Sequence, residues 1–438
     1  MSTNPQVVPS TTGIVEGMTT KAAQPEVSRV ALAALKEAAH DTPVVAINGA
    51  RQVGKSTLAR QFMDMAGGQL VTLDDVPQRD AANADPRSFV ERSIEGPLVI
   101  DEVQFAPPLF RALKAAVDRD RRPGRFILTG STRLLSAQGF ADALVGRIEI
   151  IELWPFSQGE LAGVVDDFIN RVFDDHAPDM RPGVLHRRDY LALMVKGGFP
   201  EATARQPHRR KAWFDSYLTS LTEKLIRDVS GIERIADIPR VIRLCAARSG
   251  QELNVTSLAN DLGIPPRTLD GYLALLSNLF VIQLIPAWST NLSKKVIRRP
   301  KLVVVDSGLA AHLTGTTLER SSDPTVPLGP LLESFVAMEV RKQLSWSPHG
   351  VTCWHFRDRD GAEVDFVLEH PDGRVVGIET KATAAVTPRD ARGLRFLADR
   401  LGDRFHAGYL LSMTPEAIPL GPKLTALPIE VLWRRQDT

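Results

Sequence analysis

The stretch Gly49-Ala50-Arg51-Gln52-Val53-Gly54-Lys55-Ser56-Thr57 has the residue types and spacing of a loop that holds phosphate. Its two glycines bracket four residues and lead into a lysine and a hydroxyl. Successive backbone N–H groups can therefore curl around a triphosphate while Lys55 reaches the outer phosphates and Ser56 faces a magnesium ion. A second group is the adjacent pair Asp101-Glu102, which offers one carboxylate for the magnesium shell and another to orient or deprotonate an attacking water. Thr129 and Ser131 are short hydroxyl residues in position to sense the terminal phosphate directly or through water. Near the C-terminal end, Asp365 and the triplet Glu379-Thr380-Lys381 suit a divalent cation held by two acids, with Lys381 beside it and Glu333 as a further ligand.

These residues need elements to place them. Val44 to Asn48 reads as an apolar strand running into the phosphate loop, and the helix that starts near Lys55, with Leu58, Ala59 and Phe62 as its apolar side, aims its positive end at the same anion. A helix over Glu26 to His40 precedes this unit. Further apolar strands are expected at Leu70–Leu73, Pro97–Ile100, Arg125–Thr129 and Arg147–Leu153. Strands apolar throughout and alternating with helices predict a parallel sheet covered on both faces, with ligands at the carboxyl ends of the strands, where the candidate groups fall. Residues 161–235 read as a helical lid or linker. Residues 236–315 read as a winged-helix module, with a capped helix stopped by Gly263, a second helix over Arg267 to Leu279, and strands at Phe280–Ile285 and Lys301–Val305. Lys294, Lys295, Arg298, Arg299 and Lys301 would make its wing basic and favour phosphate backbones.

Glu363–Leu368 and Arg374–Lys381 form a hairpin around Pro371-Asp372-Gly373. If His370 faces Arg374, counting five residues back and five forward sets Asp365 opposite Glu379, with Lys381 on the same face. Two acids opposed across strands repel unless a cation lies between them.

Composition limits the alternatives. A chain of 438 residues, 43% hydrophobic and 24% charged, is a multi-domain globular protein and not a disordered one. Its 53 basic and 52 acidic residues nearly cancel, so affinity for nucleic acid must come from local patches. Cys245 and Cys353 lack partners at zinc-ligand spacing, which points to a reducing compartment and away from zinc. No apolar run is long enough for a membrane span, and Met1 to Gln24 lacks a signal-peptide core. A cytoplasmic protein with a flexible tail over residues 1–24 is expected, with no membrane partner.

The segments 49–57, Leu98-Val99-Ile100-Asp101-Glu102-Val103-Gln104, Leu128 to Ser131, Gly146-Arg147 and Leu153-Trp154-Pro155-Phe156-Ser157 together resemble prokaryotic AAA+-like ATPases fused to a C-terminal domain of unknown function with a nuclease-like fold. Gly197 to Glu201 and Val305 to Leu309 also resemble segments of that group, so the likeness spans nearly the whole chain from about Glu26. The resemblance implies ATP and Mg2+ as cofactors, an ATPase domain over 25–160 and sheet order 5-1-4-3-2. It also implies that Arg147 reaches a γ-phosphate, in its own or a neighbouring subunit. The acid followed by Glu-X-Lys is similar to the restriction-endonuclease-like pattern of resolvases, with Val364 where a proline usually stands, and would occupy 325–435. The expected fold is thus α/β: a P-loop parallel-sheet domain, a helical lid, a winged-helix module and a C-terminal α/β nuclease-like domain. The favoured expectation is an ATPase that couples nucleotide state to a nucleic-acid-cleaving domain, with DNA the first partner to test and a homo-oligomer allowed. The competing one is an ATP-dependent switch or scaffold with an inactive nuclease fold, working through protein partners as in defence or toxin-antitoxin systems.

Overall fold

The computed structural model describes residues 27–92, 95–134, 140–174, 179–228, 237–289, 299–320, 328–358 and 361–434. The expected tail over 1–24 and the wing residues Lys294, Lys295 and Arg298 lie outside these.

The first sheet is built from β1 (Val44–Asn48), β2 (Gln69–Thr72), β3 (Leu98–Asp101), β4 (Phe126–Gly130) and β5 (Ile148–Glu152). All its pairings are parallel, and the order is β5-β1-β4-β3-β2, as the resemblance implied. β1, β3 and β4 are buried along their whole length. Their alternate side chains serve opposite faces of the sheet. Val45 and Ile47 pack in one cluster with Leu35 of the helix Ala31–Asp41 and Leu58 of the helix Lys55–Ala66. Val44 and Ala46 pack in another with Leu109 and Leu113 of the helix Leu109–Arg119.

Short helices follow at Gln158–Ala162, Phe168–Phe173, Arg187–Lys196 and Pro200–Thr203, then a long one over Pro207–Asp228. The central module runs through the helix Ile238–Ala247, β6 (Gln251–Glu252), the helices Val255–Leu262 and Pro266–Asn278, β7 (Ile282–Ile285) and β8 (Lys301–Val304). Asn254 caps the second of these helices by accepting from the Ser257 N–H at 3.2 Å, and Gly263, at φ +69°, ends it. The module's sheet is antiparallel, in the order β6-β8-β7.

The C-terminal part opens with the helix Leu328–Leu344. Then come β9 (Thr352–Arg357), β10 (Glu363–Glu369), β11 (Val375–Lys381), the helix Arg392–Leu401, β12 (Phe405–Ser412), β13 (Ile418–Gly421) and β14 (Leu424–Pro428). They make a separate six-stranded mixed sheet in the order β13-β14-β12-β11-β10-β9. The β10–β11 turn has the expected register: the His370 N–H donates to the Arg374 carbonyl at 2.9 Å, and Gly373 takes φ +93°. Pairing runs from Glu369–Val375 to Phe366–Ile378, and just beyond it Asp365 Oδ2 accepts from Thr380. Among the described residues no helix is long and apolar enough to cross a membrane.

The helix Leu328–Leu344 also fastens the C-terminal part to the first domain. Lys342 Nζ donates to the Phe156 carbonyl at 2.9 Å and to Glu339 at 2.6 Å, and the Gln158 N–H donates to Glu339 at 2.9 Å. Asp166, 2% exposed, accepts from the Ser157 hydroxyl. Burial, then the nearby Glu339 charge, pushes the Asp166 carboxyl up to about 7. A carboxyl raised on folding binds its proton more tightly in the native state, so stability falls as pH rises from about 4 to about 7 and levels off above. Asp166→Asn should therefore raise the melting temperature over wild type, by more at pH 8 than at pH 5. Melts at both values check this, and an equal or inverted difference would contradict it.

Candidate nucleotide site and acidic nest

The phosphate loop closes onto the segment after β5. A Cβ on Gly49 would collide with the Leu153 carbonyl, and the Leu153 N–H donates to the Asn48 carbonyl at 2.7 Å. Gly54, at φ +95°, turns the chain into the helix that begins at Lys55. Lys55 is buried and its Nζ donates to the carbonyls of Gly49 at 3.1 Å and Ala50 at 2.8 Å and to Ser131 Oγ at 3.1 Å. Val53 is buried in the core, whereas Gln52 and Thr57 are exposed at the loop's mouth and Arg51 is half-buried.

Asp101 ends β3 beside Ser56, whose hydroxyl donates to Oδ1 at 2.8 Å. Thr129 donates to the same oxygen, and Thr72 donates to Oδ2 at 3.3 Å. Glu102 lies in the left-handed region at φ +56°, a conformation that costs a non-glycine residue energy and recurs where function demands it. Its N–H donates to Thr129 Oγ1 at 3.0 Å, and its carboxylate accepts from Ser131 and Gln104. The structure thus brings Lys55, Ser56, Asp101, Glu102, Thr129 and Ser131 into one network. The donor set fits nucleotide and magnesium: a hydroxyl and a carboxylate in contact, a lysine beside the loop, and a buried Asn48 Oδ1 at the loop's base that meets no protein partner. A cleft of about 750 Å³ opens outside the loop, between Gln52, Gly54 and Thr57 on one side and Arg205, Arg209 and Trp213 on the other.

Arg147 is not part of this group. It precedes β5, whose first residue pairs with Val44 at the start of β1, and so stands at the end of the sheet away from the loop. Its Nε donates to Asp118 at 2.7 Å. A role at this subunit's own γ-phosphate is excluded by strand direction.

At the C-terminal cluster, Glu333, Asp365, Glu379 and Lys381 do converge, but around an unexpected residue. Lys301, expected as a basic wing residue open to phosphate, has a fully buried side chain. Its Nζ pairs with Glu333, with Asp365 at 3.0 Å and with Glu363 at 3.6 Å. Asp365 Oδ2 accepts from the Thr380 N–H at 2.8 Å and its hydroxyl at 2.7 Å, and Lys381 donates to Glu379 at 2.5 Å. Burial pulls the Asp365 carboxyl up, but the Lys301 charge and the Thr380 bonds outweigh it and hold Asp365 below the usual range. Glu333 and Glu379 are each pushed up to about 8, by burial first and by the Asp365 charge second. The expected metal set of Glu333, Asp365 and Glu379 does not fit: the ammonium already occupies the space facing Asp365 and Glu333. Among the described residues no group of three or more acid, histidine or cysteine side chains is disposed to hold a metal ion.

Several residues had no sequence signal. Arg29 is buried, donates to the Trp154 carbonyl at 2.6 Å and pairs with Glu160 at 3.2 Å, buttressing the phosphate loop. Gln104 might have been suspected from its place just after the acid pair in sequence, but only the 3₁₀ turn Val103–Phe105 brings it back to Glu102. Lys301 opens an otherwise apolar strand, but a lysine is fully buried only where partners meet it, and those partners come from Glu333 and Asp365 far along the chain.

Comparison with known proteins agrees with this geometry at the N-terminal end. Residues 41–162 match the family model described as an AAA domain. This part of the chain is an AAA-type P-loop ATPase-like domain. Residues 187–320 and 328–432 match two domains of unknown function, DUF8612 and DUF4143. Uncharacterized proteins of Mycobacterium tuberculosis and Mycobacterium bovis are each 29% identical over 369 residues, covering 84% of this chain and 76% of theirs. Among solved structures, the Walker-type ATPase of Pyrococcus abyssi is 16% identical with a TM-score of 0.42, covering 66% of this chain and 96% of that one. A DNA replication initiation factor is 12% identical with a TM-score of 0.26, covering 72% and 92%. Similarities this weak assign no function.

Lys55→Ala should lower ATP hydrolysis by at least about a hundredfold, the scale of losing one preorganised electrostatic contact. Glu102→Gln should bind ATP but not turn it over, and Arg147→Ala should stay within a few-fold of wild type. Steady-state phosphate release and nucleotide binding by the three variants separate the roles. Wild-type turnover by the Lys55 variant would remove the assignment.

Proposed function

We propose that the chain is an ATP-hydrolysing switch, in which the nucleotide site biases the docking of the central module and the C-terminal domain. The observation that carries this reading is Arg133. It follows Ser131, which touches both Lys55 and Glu102, by two residues, and its Nη1 donates to Glu152 at 2.7 Å. Its Nη2 donates to Gln283 of β7 at 3.1 Å, its N–H donates to the Asn278 carbonyl at 3.0 Å, and its guanidinium lies 4.6 Å from the Phe280 ring centroid. Glu152 accepts at its other oxygen from Arg341 of the C-terminal helix at 2.7 Å. Two steps of backbone from Ser131 thus lead to Arg133, whose hydrogen bonds, with Glu152 between it and Arg341, reach both other parts of the chain.

Hydrolysis would use groups already assembled. Bound Mg2+ supplies charge neutralisation of the phosphates and alignment of the leaving group. Ser56 and Asp101 are the residues to hold it, with Thr72 and Thr129 fixing the carboxylate. Glu102, oriented by Ser131 and Gln104, is the group to orient or deprotonate water. Arg205 and Arg209 across the cleft, not Arg147, are the further cations available to the triphosphate, and Arg205 already meets Glu201 at 2.9 Å. The exposed face of the helix Pro266–Asn278 carries Arg267, Asp270, Gly271 and Ala274, and Lys301 is buried, so this helix face offers a single cation to a phosphate backbone. This favours action through protein contacts over cleavage of nucleic acid, in the manner of the switch or scaffold alternative.

Hydrogen exchange with and without a non-hydrolysable ATP analogue tests the coupling. Protection should change in residues 277–285 and 333–343 of wild type. In Arg133→Ala the change at 277–285 should be lost while analogue binding persists. Identical exchange in both segments with and without nucleotide in wild type would overturn the switch.

A further inference from the structure

Lys301 is held in place before its side chain is considered. β8 lies between β6 and β7, and Lys301 pairs with Glu252 on one side and Ile285 on the other, so its position is set by the central module's own sheet. From there the side chain crosses into the C-terminal domain, where it meets Glu333 of the helix Leu328–Leu344 and Asp365 and Glu363 of β10. Glu379, 6% exposed, keeps a buried Oε2 with no protein partner in the same nest. We propose that Lys301 is the resident cation of this nest, a tethered ammonium standing where the acid and Glu-X-Lys pattern calls for a divalent metal, and that it latches the central module to the C-terminal domain in a metal-free state.

Space and charge both support this. Magnesium binds carboxylate oxygen at roughly 2.0–2.1 Å and calcium at roughly 2.3–2.6 Å, so an ion bridging the Asp365 and Glu333 oxygens would have to take the place between them that the Lys301 ammonium fills. Lys301 faces Glu333, Asp365 and Glu363, and Lys381 faces Glu379, so every acid of the nest already meets an ammonium without a metal. Withdrawing Lys301 would strand buried carboxylates, and breaking a buried pair from one side is the costly change. The contact is therefore a latch that opens only if another cation takes the place. It does not depend on the ATPase reading, because its test uses no nucleotide.

The experiment is calorimetric titration of the full nucleotide-free chain with Mn2+, in wild type, Lys301→Met, Asp365→Asn and Lys301→Met/Asp365→Asn. Wild type should show no Mn2+ site that Asp365→Asn removes. Lys301→Met should gain a site at least tenfold tighter than any in wild type, melt lower than wild type and recover on adding Mn2+, and the double variant should lose the new site. If wild type already binds Mn2+ at a site abolished by Asp365→Asn, or if folded Lys301→Met gains none, the proposal is overturned. Should Lys301→Met fail to fold, the double variant, which removes the stranded carboxylate with the ammonium, should restore soluble protein. Failure to do so would equally overturn the latch.

Discussion

The close approach of Gly49 to the Leu153 carbonyl sets the position of every other part of the molecule, because it ties the phosphate loop to the segment Leu153 to Gln158. That segment then bonds in each direction. The Trp154 carbonyl accepts from Arg29, the Phe156 N–H donates to the Gly198 carbonyl at 2.8 Å, and the Phe156 carbonyl accepts from Lys342. Ser157 caps the next helix with a reciprocal pair of bonds to Glu160. Gly198 in turn donates to Asp306, which also caps the helix Ser307–Thr314 through the Leu309 N–H, both at 2.7 Å. The phosphate loop thus shares a wall with the turn at Gly198, the helix Ser307–Thr314 and the C-terminal helix. Movement at that wall is felt by all three, since packed interiors shift between discrete arrangements and do not deform smoothly.

The wall is made of buried charge as well as apolar contact. Arg29, Glu160, Glu339, Lys342 and Asp166 lie within it, each almost fully buried. Such groups add little net stability compared with apolar residues of the same shape, but losing one partner strands another. That asymmetry makes the joint specific: the domains dock in one register or pay a large desolvation cost. Apolar packing from Leu35, Trp154 and Phe335 supplies the area, and the ionic pairs select the alignment.

The first sheet and the phosphate site were legible because they are local. The strand, loop and helix around Lys55, and the apolar strand ending in Asp101-Glu102, announce themselves within a few residues, and the parallel sense of the sheet follows from a pattern of alternating elements, whereas its strand order came from the family resemblance alone. The β10–β11 register was legible for the same reason: a three-residue loop leaves one way to count, and the strands pair as counted from Glu369–Val375 to Phe366–Ile378. What could not be read is what arrives from far along the chain. Lys301 lies 64 positions from Asp365, Arg133 lies 150 from Gln283, and Arg29 lies 131 from Glu160. Arg147 stands away from its own subunit's phosphate loop for a related reason. Its motif marks a strand, but the chemistry depends on which end of that strand the residue occupies.

The same distance effect inverts the meaning of the acid and Glu-X-Lys pattern. Opposed carboxylates require a positive charge, and the hairpin alone cannot specify its source. A free ion would have to be bound from solution, losing its hydration, whereas a lysine on a neighbouring strand is supplied by folding itself and adds an ionic link between the central module and the C-terminal domain. Lys301 satisfies the electrostatic demand of Asp365 from a fully buried side chain that starts on β8, so the cluster serves as a joint. Lys381 remains paired with Glu379 and half-buried, which keeps the Glu-X-Lys geometry intact without giving it a metal to act on. Pattern and geometry thus persist while the charge that would make them reactive has been replaced by one that makes them cohere.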